Sequence, residues 1–206
     1  QKGEFEMKEL FSRFTVDIIA TSVFGLEIDS YKNPENDFKK VANATMKPNT
    51  FFIIIKMVLL NIFPKVMKKL DISILDQHTK NFFRQTISET MKYREEKSIF
   101  RPDMINLLMQ AKKGKLSEDD SEHFHWTDDE IVAQCLVFFL AGFDTTSSTL
   151  SFAAHELAVN PDIQEKLRSE ISSMDQKLNG KSINYDDLKS LKYLDRFIME
   201  VLRKWA

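Results

Sequence analysis

Apolar residues at Met7, Leu10, Phe11, Phe14, Ile18 and Ile19 recur at helical spacing, and Gly25 ends the run. Asn33-Pro34 marks a turn. A short helix over Glu35–Met46 is predicted to close before Pro48. The run FFIIIKMVLLNIF, Phe51 to Phe63, is stopped by Pro64 and is interrupted by Lys56 and Asn61. It is too short to span a bilayer, which takes about 20 apolar residues. A buried helix and a flap that touches membrane or a greasy ligand both fit it, and periodicity does not choose. Asp76–Lys97 reads as a long amphipathic helix with Phe82, Phe83, Ile87 and Met91 inward, and Pro102 opens the next one through DMINLLMQA.

The following stretch, KKGKLSEDDSEHFH, is charged and reads as a surface loop. TDDE at Thr127–Glu130 is a capping box, with Asp128 and Asp129 suited to the positive end of a helix. That helix is predicted to run to Val159. Asn160 then caps a new helix with Pro161 at its first position. Asn179-Gly180 breaks the chain, and INYDDLKSL and KYLDRFIMEVLRKW finish it in helix. No internal repeat or domain boundary stands out, so the pattern predicts a mainly α fold with few or no strands.

Composition narrows this picture in a few places. Lys+Arg is 29 against Asp+Glu 31, a net charge of -2, which offers no basic footprint for nucleic acid. The single cysteine allows no internal disulfide. His123 and His125 stand two apart without a further ligand nearby, and two solvated histidines are the expectation, with no metal site. The chain opens on Gln1, and its last residues are still in helical rhythm without a cap. It reads as the middle of a longer protein.

The chemistry concentrates in AGFDTT, inside the long helix. A glycine there costs about 1 kcal/mol against alanine, and a buried acid or hydroxyl needs a partner or a task. Ala141 and Thr145 share a face, four residues apart, so the Thr145 hydroxyl can bond back to the Ala141 carbonyl and loosen the helix. With Gly142 beside them they could form a notch for a small ligand, walled by Val137 and Leu140, with Asp144 able to hand protons to it. The alternative is a helix crossing in which Gly142 allows close packing and Asp144 sits in a buried ion pair. Glu200 and Arg203, three apart, have the spacing of a same-face ion pair.

AGFDTT in a long helix, then HELAVNP, then a helix ending in Glu-x-x-Arg, resembles the cytochrome P-450 superfamily of haem-thiolate monooxygenases. The resemblance covers the whole chain, and TDDEIVAQCLVFFLAGFDTTSSTLSF is most similar to insect microsomal members that act on xenobiotics. It implies that Ala141 and Gly142 face the haem, that Asp144 and Thr145 are the acid–alcohol pair delivering protons to the reacting oxygen, and that Thr146 is structural. It implies a buried Glu200–Arg203 pair that holds the core near the haem, and it places Phe51–Phe63 in the roof of the substrate channel. Residues 1–206 would be the central helical part of one monooxygenase domain, without the family's sheet region and ending before its iron-ligand loop. The axial cysteine is then absent, since Cys135 precedes the oxygen-binding motif and reads as a small buried hydrophobe. The partners implied are O2, an NADPH-dependent reductase, a hydrophobic small molecule and the cytoplasmic face of the endoplasmic reticulum membrane. The competing reading is a non-catalytic helical protein that binds an apolar ligand or partner.

Overall fold

The computed structural model describes residues 6–46, 50–70, 72–73, 75–114 and 126–205. Pro48, His123, His125 and most of the charged 112–125 stretch lie outside the described residues. Ten α-helices and no strand are found among those described, so the fold is mainly α as expected. They are α1 (Met7–Phe24), α2 (Asp37–Met46), α3 (Thr50–Ile62), α4 (Pro64–Lys69), α5 (Gln77–Lys97), α6 (Met104–Lys112), α7 (Asp128–Val159), α8 (Pro161–Leu178), α9 (Tyr185–Ser190) and α10 (Lys192–Trp205). The chain divides into two compact units, Ser12–Asp144, and Gln1–Phe11 together with Thr145–Ala206.

The Ser12–Asp144 unit holds the main core, built on Phe24, Phe38, Phe83, Phe139 and Phe143 with Val16, Ile19, Ile87, Ile105 and Ile131. The inward face of α1 is not the apolar stripe read from the sequence. Ser12, Thr15, Val16, Ile19 and Ala20 are buried, whereas Phe14 and Ile18 are exposed. The reason is a close crossing with α7. Small side chains let two backbones approach, and the Thr15 hydroxyl donates to the Phe143 carbonyl at 3.0 Å.

In α5, Phe83, Ile87 and Met91 are buried as expected and Phe82 packs against the core from its edge. Asp76 is the cap rather than the first helical residue, accepting from Thr79 N–H at 2.9 Å. The start of α6 is likewise set by a carboxylate and not by Pro102: Asp103 accepts from Asn106 N–H at 3.1 Å. The same Asp103 takes two bonds of 2.7 Å from the Arg94 guanidinium, and both side chains are almost fully buried. Arg94 also donates to the Phe24 carbonyl at 3.0 Å, and Arg101 donates to the Thr21 carbonyl at 2.9 Å. Gly25 closes α1 with φ +68°, and a Cβ built there would lie 2.5 Å from Arg94 Nη2 and 2.8 Å from Asp103 Oδ2. This ion pair therefore ties the end of α1 to α5 and to the start of α6.

The FFIIIKMVLLNIF segment forms α3, and its described side chains are not core. Ile54, Met57, Val58, Ile62 and Phe63 are half exposed or nearly so. Pro64 ends this helix and occupies the first position of α4, where its missing N–H costs nothing. Val66 and Leu70 continue the open apolar surface, and Lys65, Lys68 and Lys69 stand among them.

In the second unit, Asn160 does not cap α8. Its amide turns back to the Glu156 carbonyl at 2.9 Å, so Pro161 opens the helix without a side-chain cap. Asn179 ends α8 in the left-handed conformation, φ 47°. A capping box of Asn184 and Asp187 starts α9.

Candidate functional site

The first turn of α7 is built as its sequence predicts. Thr127 N–H donates to Glu130 Oε2 at 2.7 Å, and Glu130 N–H returns to Thr127 Oγ1 at 3.3 Å. The Thr127 N–H and the Thr127 hydroxyl, which donates to the same oxygen at 2.8 Å, hold the Glu130 carboxyl below its ordinary range. The helix is long and apolar enough to cross a bilayer, yet Ile131, Val132, Cys135, Phe139 and Phe143 are buried in the core of the Ser12–Asp144 unit.

The opposite side of the same stretch is open. Val137 is 58% exposed, Phe138 and Ala141 are exposed, and Leu140 and Asp144 are half-buried. Val137 and Ala141 stand four residues apart, and Thr145 continues that interval. The exposed surface is thus apolar, with a small side chain in its middle. In the other unit, Thr145 and Thr146 are exposed and Ser147 is buried. Thr149 donates to the Thr145 carbonyl at 3.0 Å and Ser151 to the Ser147 carbonyl at 2.7 Å, a back-bonding that loosens a helix. The Lys8 ammonium donates to the hydroxyls of both Ser147 and Ser148.

Gly142 meets α1. A Cβ built on it would come within 2.4 Å of Ile19 Cδ1, so the close crossing accounts for this glycine directly. Gly142→Ala would gain about 1 kcal/mol of helix propensity but force a buried isoleucine aside, which typically costs about 1–3 kcal/mol. The net expectation is a lower melting temperature. Adding Ile19→Val, which removes the clashing methyl, should restore part of the loss. A double variant no more stable than Gly142→Ala would count against this crossing.

Cys135 is fully buried. Burial, helped by the negative charge of Asp103, pushes its thiol up to about 12. It is a neutral thiol at physiological pH, whereas iron ligation by cysteine needs the thiolate. Cys135 therefore does not fit the role of a haem ligand, while the open face of Val137 and Ala141 suits contact with a flat apolar group.

Glu200 and Arg203 make their pair, with bonds of 2.7 Å and 2.6 Å. The bonds from Arg203 hold the Glu200 carboxyl low, and the same contact raises Arg203. Within residues 1–206 the two side chains are 59% and 72% exposed, and Val201 is the one buried residue of α10. Sequence reasoning missed Thr15 and Ile19 as partners of α7, Lys8 as a donor to Ser147, and the Arg94–Asp103 pair. Each joins segments distant in the chain or lies inside an ordinary charged pattern, so spacing carried no signal for it.

Comparison with known proteins agrees with these features. The Cytochrome P450 family matches residues 1–205. Probable cytochrome P-450 9h1 of Drosophila melanogaster is 41% identical over 98% of this chain and 40% of its own length. Cytochrome P-450 9e2 of Blattella germanica is 40% identical over 96% of the chain and 38% of its length. Probable cytochrome P-450 6a13 of Drosophila melanogaster is 38% identical over the full chain and 40% of its length. The chain thus spans about two fifths of the curated relatives it matches. With the AGFDTT helix, the Glu-x-x-Arg helix and a family match along its length, the chain belongs to the cytochrome P-450 family.

Proposed function

We propose that the full-length protein is a haem-dependent monooxygenase that inserts one oxygen atom from O2 into hydrophobic substrates, with residues 1–206 as one part of its catalytic domain. The observation that carries this is the open apolar face of α7 in a chain of this family. Haem held by a thiolate supplies the activation of O2, and that thiolate comes from outside this chain. Electrons come from an NADPH-dependent reductase. The work of the residues follows from their chemistry. Val137 and Leu140 form an apolar wall that excludes water from the substrate. Ala141, with its single methyl on the open face, allows close approach of the haem, and Gly142 beside it keeps the helix seated against Ile19 of α1. The Thr145 hydroxyl holds a proton near the reacting oxygen, and Asp144, half-buried, resupplies that proton from solvent.

The exposed apolar surface of α3 and α4, interspersed with lysines, supports seating on the cytoplasmic face of the endoplasmic reticulum membrane. The insect relatives support an insect cytochrome P-450, and a microsomal enzyme acting on xenobiotics is the reading that its α7 sequence motif implies. The test pairs NADPH consumption, hydrogen peroxide release and product formation in the full-length enzyme. Thr145→Ala should keep folding and substrate binding but shift reductant from product to peroxide by about tenfold or more. Asp144→Asn should instead slow oxygen consumption itself. A Thr145→Ala enzyme that couples reductant to product as well as the parent would refute the proton-delivery role.

A further inference from the structure

Among the described residues, little apolar burial fixes α10. It buries Val201, while Ile198, Met199, Leu202 and Trp205 are exposed. Its own Glu200–Arg203 pair lies within one helix and is exposed, so among the described residues that pair does not dock the helix onto a neighbour. Two carboxylates from other helices do. At the start, Glu170 of α8 accepts from Tyr193 N–H at 2.8 Å on one oxygen and from Leu194 N–H at 3.0 Å on the other. First-turn N–H groups have no partner inside a helix, and the residue before Lys192 is Leu191, which has no side-chain acceptor. A negative charge also suits the positive end of the helix.

At the other end, Glu156 of α7 accepts from Lys204 Nζ at 2.7 Å and Trp205 Nε1 at 2.9 Å. Glu156 is buried, and the bonds from Lys204 and Trp205 hold its carboxyl below the usual range. The Trp205 ring stacks on Phe152 with centroids 4.6 Å apart. Glu200 and Arg203 lie between these two attachments.

We propose that Glu170 and Glu156 are positioning residues that set the register of α10, and with it the place of the Glu200–Arg203 pair. The consequence for haem rests on the monooxygenase reading above; the register itself does not.

The experiment uses the full-length, haem-loaded protein and two readouts, amide hydrogen exchange and the carbon monoxide difference spectrum of the reduced form. In the parent, the Tyr193 and Leu194 amides should be protected like mid-helix amides. Free exchange there overturns the proposal. Glu170→Gln should raise their exchange by about tenfold or more while the α8 amides stay protected, and should lower the fraction of haem in the thiolate-ligated form. Glu170→Asp, which keeps the charge, should restore both readouts in part. Faster exchange with an unchanged haem spectrum overturns the positioning role, and so does a Glu170→Asp variant no better than Glu170→Gln. A parent protein that shows no haem-thiolate band defeats the monooxygenase reading instead, and the exchange data then decide the register alone.

Discussion

Replacing Arg94 with Met should lower the stability of the protein by about 3–5 kcal/mol, the usual loss when one member of a buried ion pair is removed. The Asp103 side chain is 2% exposed and would lose its buried guanidinium partner. The Phe24 carbonyl would lose its donor at 3.0 Å as well. Arg101, whose Nε lies 3.3 Å from the same carboxylate, compensates part of the charge, which places the loss toward the lower end of the range. Asp103→Asn should cost somewhat less, because its remaining oxygen can still cap α6 through Asn106 N–H. The double variant Arg94→Met/Asp103→Asn should be more stable than the sum of the two losses implies, by about 1 kcal/mol or more. Urea unfolding midpoints of the three variants measure this. Simple additivity would show that the pair is not the energetic unit described.

Phe139→Ala should cost about 3–5 kcal/mol. Phe139 is fully buried, and its ring lies 5.2 Å from Phe83, 5.1 Å from Phe143, 5.9 Å from Phe38 and 6.3 Å from Phe24. Four rings from α1, α2, α5 and α7 itself therefore meet on this one side chain, and truncating it opens a void that none of them can fill alone. Phe139→Leu should lose about half as much or less, since it leaves a smaller cavity. Phe100→Ala, at a residue 71% exposed, should stay within about 0.5 kcal/mol of the parent. Thermal unfolding of the three variants checks the order. A Phe139→Ala protein as stable as the Leu variant would mean that the aromatic cluster collapses around the loss.

Helix content was legible because its signals are local. The capping box at Thr127 and Glu130, the breaks at Gly25 and Asn179, and the Phe83–Ile87–Met91 stripe all lie within a few residues of what they predict. What misled was apolarity read without geometry. Phe14 and Ile18 look like core, but the close α1–α7 crossing selects Ser12, Thr15 and Ala20 instead. Asn160 precedes a proline as a cap would, yet the Glu156 carbonyl and carboxylate sit within reach of its amide and draw it back. For the candidate site, residue types and spacing pointed to α7, Glu200 and Arg203. The carboxylates that hold its helix reach it through contacts 23 to 49 residues apart, which no local pattern encodes.

Gly25 constrains the order in which this part of the chain can change over evolutionary time. A methyl there would collide with Arg94 and Asp103, besides being held at φ +68°. A lineage that acquires Ala at position 25 first must pass through a protein whose ion pair is forced apart. A lineage that first replaces Arg94 and Asp103 by smaller uncharged residues meets the left-handed backbone cost, about 1 kcal/mol or somewhat more, and the Arg101 Cδ at 3.0 Å. The three positions, drawn from three separate segments, therefore form one epistatic unit, and swapping any single one between divergent relatives should fail where swapping all three succeeds.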